Sequence, residues 1–310
     1  MKTGSSEQLI TVITLCYYSD HLMETVDSLL SQKYPAIQYI IADDGTEDFD
    51  PDRWYQYIDV HQKGNIKEVL VIHQDTNIGT VRNYNNALGY AKGKYIFPLS
   101  ADDVYENPYV LNHWVEGFQT HNDPIVCTSC SVYDSSLKHF RGKWPRTDHI
   151  RLLLSRDWQK IYRAMETQKL LPGSTVARSR DSLETLGLFD TDYKLMEDYP
   201  FLMKALREGA SIGFIPQSMV KKRSGGVSDG QGPNPQLQED MKRFYEKEVY
   251  PYCEDPSIIR KQIEEGEQQR KRSAELFHVW EEGTAAQKCQ LFVKQPSFVL
   301  KRILRSVFRF

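Results

Sequence analysis

The 310-residue chain has no uninterrupted apolar run of about 18 residues, so nothing in it reads as a membrane-spanning helix. Its opening, MKTGSSEQL, lacks the apolar core of a secretory leader. Net charge is only −3, which argues against nucleic acid as a partner of the whole chain. The five cysteines are odd in number and scattered, which excludes a simple disulfide framework and favours reduced thiols in a cytoplasm. Cys127 and Cys130 form a C-x-x-C, but no second ligand pair has the spacing a zinc site needs. Residues 124–132 read better as a strand with small thiols packed inside. What is present, 40% hydrophobic and 26% charged residues, suits a globular domain with appendages rather than a disordered chain.

Short β-branched or apolar runs predict strands over residues 9–15, 37–42, 67–73 and 95–99. Between the first two, Ser19-Asp20 offers an N-cap, and Leu22, Val26, Leu29 and Leu30 follow at helical spacing. Residues 77–91 predict a second helix, with Val81, Tyr84, Leu88 and Ala91 as its stripe and Gly93 as its stop. Strand, helix, strand, strand, helix, strand implies a largely parallel α/β sheet. In such sheets ligands bind outside the carboxyl ends of the strands.

Two acidic pairs fall there: Asp43-Asp44 after the second strand and Asp102-Asp103 after the fourth. Adjacent carboxylates repel, and each costs free energy to desolvate. A rim of hard oxygen ligands suits Mg²⁺ or Mn²⁺, held by one or two carboxylates plus substrate phosphates. The first pair could instead accept hydrogen bonds from a base or a ribose. Arg82, beside Asn83, could pair with phosphate or orient an acid. The competing reading is plain: Asp-Asp-Gly is also a turn signal, and acids after strands are common surface residues.

The stretches VITLCYYSDHLMETVDSLLSQKYPAIQYIIADDGTED and NIGTVRNYNNALGYAKGKYIFPLSADD resemble the family 2 glycosyltransferases with a GT-A fold. Order and spacing match over roughly residues 8–225, and the motifs are specific together though weak singly. The resemblance implies transfer of a sugar from a nucleotide-sugar, with UDP the usual nucleotide, to an acceptor hydroxyl with inversion. It implies that Asp44 binds the base with Asp43 beside it, and that Asn77, Arg82 and Asn83 line the donor side. Asp102 and Asp103 would serve the metal, Mn²⁺ or Mg²⁺, and the ribose–diphosphate, with Ser100 and Ala101 alongside. Two departures stand out. Ser100 occupies the place where the motif usually opens with Asp, and the first strand ends Thr14-Leu15-Cys16-Tyr17-Tyr18 rather than in a Pro-x-Tyr-Asn-like turn. Base contacts then fall to Thr14 or Cys16.

Further on, Gly173-Ser174, Gly187-Leu188-Phe189-Asp190 and Glu197-Asp198 are similar to the family's acceptor side, where the Asp of the last pair is the general base. Asp198 is therefore the expected base, with helix capping the competing role. Residues 211–215 predict a short strand. Lys221, Lys222 and Arg223 follow with Gly225-Gly226, and the resemblance puts Arg223 on the diphosphate from a mobile loop. The expected organisation is a flexible N-terminus (1–7), a GT-A domain (8–232), a helical extension (233–290) with a charged helix over 255–280, and a basic amphipathic tail (291–310). That tail holds Lys294, Lys301, Arg302, Arg305 and Arg309 and no acid. Its composition fits peripheral contact with anionic lipid at the inner membrane face, and a glycan or lipid-linked acceptor; docking on its own domain is the alternative. Two other functions stay open. A nucleotidyltransferase shares the acidic rim but needs a glycine- and lysine-rich phosphate loop, and none follows the first strand. A sugar-nucleotide binder without turnover would leave Asp198 without a task.

Overall fold

A computed structural model describes residues 8–225 and 234–296. The expected N-terminal segment 1–7, Gly226 and the greater part of the expected basic tail, 297–310, lie outside the described residues. The chain forms two compact units, one ending at Tyr252 and one beginning at Cys253.

In the first unit β1 (Ile10–Cys16) and β2 (Ile37–Asp43) are buried almost throughout. A parallel strand covered on both faces loses its alternation, which is why both read as continuous apolar runs. Between them α1 (Leu22–Leu30) buries Leu22, Val26, Leu29 and Leu30, the expected stripe. The expected Ser19-Asp20 cap is not used: His21 holds the N-cap position, with no side-chain cap. No apolar stripe announces α2 (Pro51–His61), which shows the core only Trp54 and Ile58. Asp50 caps it and Pro51 fills its first position. Then come β3 (Ile66–His73), α3 (Thr80–Leu88) and β4 (Tyr95–Ser100). α3 is shorter than expected at both ends: residues 77–79 form a loop and Gly89 closes the helix.

The remainder runs β5 (Val104–Tyr105), α4 (Val110–His121), β6 (Ile125–Tyr133), β7 (Phe140–Trp144), α5 (Thr147–Leu154), α6 (Trp158–Met165), β8 (Val176–Ser179), α7 (Ser182–Thr185), α8 (Asp198–Arg207), β9 (Ile212–Arg223) and α9 (Pro235–Phe244). Cys127 and Cys130 are buried inside β6 as free thiols. β9 continues well past residue 215, so Lys221, Lys222 and Arg223 lie on a paired strand rather than on a loop.

The described strands form one sheet in the order β3-β2-β1-β4-β8-β6-β9-β5, with β7 beside β6. β3, β2, β1 and β4 are parallel, and β8 enters antiparallel between β4 and β6. Under the sheet Phe97 meets Trp114 edge-on at 5.1 Å, and the Trp114 indole donates to the Val126 carbonyl at 3.0 Å. Such buried side chains each contribute roughly 1.5–3 kcal/mol, and this core holds the strand ends in place.

The second unit contains α10 (Pro256–Glu282), capped by Asp255, and α11 (Ala285–Lys294), opened by a Thr284–Gln287 capping box. Among the described residues no helix is long and apolar enough to cross a membrane.

Candidate active site

Parallel register puts Cys16, Asp43 and His73 in one row at the carboxyl edge, and Ser100 lies beside them opposite Leu15. β2 and β4 are separated by β1 alone, so the two acidic pairs start about 10 Å apart at ordinary strand spacing.

The first pair is spent on the scaffold. Asp43 is fully buried, and its Oδ2 accepts from the N–H of Gly45 (3.0 Å), the N–H of Thr46 (2.8 Å) and Nδ1 of His73 (2.9 Å). Its Oδ1 accepts from the Thr46 hydroxyl at 2.6 Å. Asp44 accepts from the N–H groups of Ile78 (2.8 Å) and Gly79 (3.0 Å), and burial raises its pKa against those two bonds. Gly45 is required between them and the next loop: its φ is +82°, and a Cβ there would lie 2.6 Å from the Thr76 backbone. Asn83 is likewise buried and donates to the Ala42 carbonyl at 2.8 Å. Thr14 faces the interior and accepts from the Tyr39 hydroxyl, so it is not at the mouth. Cys16 is at the rim, but burial and the neighbouring Asp43 push its thiol up to about 12, which keeps it neutral.

The mouth carries an aromatic pair. Tyr17 and Tyr18 are both exposed, with rings edge-to-face at 4.8 Å, and Tyr18 has φ +47°. The Tyr18 N–H donates to Thr46, which ties this turn to the Asp43 loop. A pair of aromatics directly after a buried strand was the available signal.

The second pair is disposed differently. Ala101 is buried and its N–H donates to the Leu15 carbonyl, continuing β4 past Ser100, which is half-buried. Asp102 is half-buried, and its Oδ1 accepts from the Ser19 hydroxyl at 2.6 Å, the group expected to cap α1. Asp103 is buried, accepts from the Arg223 N–H at 3.0 Å, and has its carboxyl pushed up to about 6 by burial.

Arg223 corrects an expectation. Its guanidinium is not free for a diphosphate: it is 4% exposed and donates to the carbonyls of Asp102 and Ser135, each at 2.7 Å, and to Glu24. Being on a strand rather than a loop is the physical reason. It fixes the acidic turn instead.

On the far side, Asp198 is the first residue of α8. Burial raises both Glu197 and Asp198, and the charge on Asp198 raises Glu197 further, while Lys169 favours ionised Asp198. The short turn Gly173–Thr175 sits between this pair and the acidic motif. A Cβ on Gly173 would lie 2.5 Å from Asp198 Oδ2, so only glycine leaves room for the carboxylate. The next residue, Ser174, has its hydroxyl beside Asp103. Two consecutive residues therefore lie near Asp198 and Asp103. The loop leading to Asp198 is held by Asp240 of α9, a buried carboxylate that accepts from the N–H groups of Lys194 (3.0 Å), Leu195 (2.6 Å) and Met196 (3.1 Å). Nothing local in the sequence marks Asp240 for that role.

Asn77 and Arg82 are exposed and line a separate cleft of about 620 Å³, together with Tyr193, Lys194 and Arg243; none of the rim acids lines it.

Comparison with known proteins follows the same lines. The sequence profile of Glycosyl transferase family 2 matches residues 11–186. The chain belongs to that family. An uncharacterized glycosyltransferase of Haemophilus influenzae is 22% identical over 256 residues, 79% of this chain and 74% of that one. EpsJ of Bacillus subtilis, an uncharacterized glycosyltransferase, is 26% identical over 245 residues, 78% and 69% of the two chains. WfaP of Escherichia coli, a UDP-Glc:α-D-GlcNAc-diphosphoundecaprenol β-1,3-glucosyltransferase, is 33% identical over 112 residues, 35% of this chain and 42% of its own. Among solved structures, S. aureus TarS 1-349 in complex with UDP-GlcNAc superposes with a TM-score of 0.59 at 17% identity, covering 83% of this chain and 70% of that one. The chain spans 44% of the longer TarS structure, with a TM-score of 0.54. The likeness shows the GT-A fold. This family 2 member is a glycosyltransferase. Its profile match ends at residue 186, so Asp198 and Asp240 lie in the part of the chain beyond it.

Proposed function

We propose that this glycosyltransferase moves a sugar from a UDP-sugar to a hydroxyl of a glycan or lipid-linked glycan, inverting the anomeric carbon, with Asp198 as general base. The observation that supports the proposal is the Gly173–Thr175 turn, in which Gly173 packs against the Asp198 carboxylate and Ser174 lies near Asp103. An incoming hydroxyl must lose its proton as its oxygen attacks the anomeric carbon opposite the departing diphosphate. Asp198 takes that proton. The raised pKa suits the task, because a base nearer neutrality drives proton transfer better than an ordinary carboxylate. Glu197 retains its proton alongside. A single displacement of this kind needs no covalent nucleophile.

Asp102 and Asp103 accept hydrogen bonds from the Ser19 hydroxyl and a backbone N–H, and the Lys222 charge acts on Asp103. Their negative charge and hard oxygens fit Mn²⁺ or Mg²⁺. These two residues would hold the ion, which when bound steadies charge on the leaving diphosphate. Arg223 fixes the turn that presents them. Asp43 and Asp44 shape the base end through the loops they tie together, and Tyr17 and Tyr18 give it an aromatic wall.

The nucleotide assignment is supported by the UDP-GlcNAc held by TarS and the UDP-Glc used by WfaP. The lipid-linked acceptor is supported by the diphosphoundecaprenol in the WfaP name, and the tail 291–310 is proposed to rest on anionic lipid beside it. The test uses the full chain: thermal shift against a set of nucleotide-sugars with and without Mn²⁺, then NMR of the transferred sugar's configuration. A UDP-sugar should stabilise best and more so with Mn²⁺. Stabilisation by no UDP-sugar, or a product that retains configuration, removes the proposal.

A further inference from the structure

The acidic turn of residues 100–103 is gripped from α1 and from the residues just before it. The Thr25 hydroxyl is fully buried and stands 2.8 Å from the carbonyls of both Ala101 and Asp103. Arg223 donates to the Asp102 carbonyl, and Glu24, on the same helix as Thr25, answers the charge of that guanidinium. These contacts fix the main chain of the turn. They leave the Asp102 carboxylate free to rotate.

That rotation is settled by Ser19, 83 positions away in sequence. Its oxygen receives the His21 N–H at 3.2 Å, which leaves the hydroxyl with one proton to give. Two acceptors face it, Asp102 Oδ1 at 2.6 Å and the Ala101 carbonyl at 3.0 Å. The shorter contact is to the charged oxygen, which makes the stronger bond. Asp102 Oδ2 accepts no hydrogen bond among the described residues.

The kind of donor matters as much as its place. A neutral hydroxyl orients a carboxylate without cancelling its charge. An ammonium or guanidinium there would pair with the carboxylate and compete with a dication for its oxygens. The guanidinium nearby, Arg223, is spent on backbone carbonyls and on Glu24. The Lys222 charge acts on Asp103. Removing a group that orients a metal-binding side chain typically weakens the ion by roughly 10–100-fold.

We propose that Ser19 is a positioning residue for the cation: its hydroxyl holds one oxygen of Asp102 and turns the other, Oδ2, toward a divalent ion. The proposal rests on the reading above that Asp102 holds that ion, and its experiment tells the two apart. The full chain is saturated with UDP and titrated with Mn²⁺, and free Mn²⁺ is read by electron paramagnetic resonance. Ser19→Ala should raise the Kd for Mn²⁺ about tenfold. Ser19→Thr keeps the hydroxyl and should recover most of that loss. Without metal, the Tm and the UDP affinity of Ser19→Ala should stay close to wild type.

Mn²⁺ binding lost in Asp102→Asn but unchanged in Ser19→Ala overturns the Ser19 proposal alone. So does a Ser19→Thr no better than Ser19→Ala. Metal-free Tm and UDP affinity that fall as far as Mn²⁺ affinity would mark a general loosening of the turn, and overturn it too. Mn²⁺ binding that Asp102→Asn leaves intact, or a wild type that binds no Mn²⁺ beside UDP, ends the reading of Asp102 as a ligand, and the Ser19 proposal with it.

Discussion

Asp43-Asp44 and Asp102-Asp103 are written alike in the sequence, each an acidic pair at the end of a parallel strand, yet the fold uses them in opposite ways. The four oxygens of the first pair accept from six backbone or side-chain groups, in the turn, at the end of β3 and in the following loop. The second pair receives one hydroxyl and one backbone N–H, and one of its members stays half-open to solvent. Counting where each oxygen's hydrogen bonds go separates a carboxylate that builds a rim from one that works at it. By the same count Asp198, which accepts from one backbone N–H, groups with the second pair, and Asp240, which accepts from three, groups with the first.

The sharpest way to break this division is at Asp198. Asp198→Asn should lower kcat by about 10²–10⁴-fold with little change in Tm, read as UDP release in the presence of acceptor. Turnover near wild type would return Asp198 to the scaffold. Next is the contrast between the two pairs. Asp43→Asn places an amide N–H₂ against backbone donors and should cost roughly 2–4 kcal/mol in urea unfolding. Asp102→Asn should alter unfolding by under about 0.5 kcal/mol while cutting activity at least tenfold. Similar stability losses in both variants would erase the distinction.

Gly173→Ala probes the turn that lies near Asp198 and Asp103. Its methyl would meet Asp198 Oδ2, so kcat should fall about 10- to 100-fold through misplacement, with folding retained. An unchanged kcat would show that the turn gives way freely. The smallest effect is on pH. Asp103 titrates near 6 in the folded chain and near 4 when unfolded, so the folded state holds an extra proton between those values. Its contribution to stability is therefore complete below about pH 4 and is lost as pH rises through about 6. Asp103→Asn should flatten that part of the Tm profile between pH 4 and 6.5. A slope identical to wild type would deny that burial sets this carboxyl.

The parallel half of the sheet was legible because its strands are apolar on both faces and end in charged turns. The strands expected over 37–42 and 95–99 are Ile37–Asp43 and Tyr95–Ser100. Helix α2 was not, because two buried residues in eleven leave no stripe to read. Arg223 was misplaced for a related reason. The continuation of β9 depends on pairing with β6, a partner far away in sequence, whereas Lys-Lys-Arg before Gly-Gly looks locally like a loop. The site's acids were visible as residue types, but their division of labour was not, since it rests on backbone N–H groups that any sequence supplies. Asp240 sits in a polar helix with nothing nearby to announce it; only the folded loop of residues 194–196 reveals its task.

That carboxylate also sets a clock. Asp240 emerges during synthesis 42 residues after Asp198, a delay of roughly 2–8 seconds at ordinary elongation rates. Until it arrives, the three amide groups of residues 194–196 have no anchor, so a nascent chain can assemble its sheet before the segment ahead of Asp198 is fixed. The rim of the sheet is thus completed first, and the approach to α8 only afterwards.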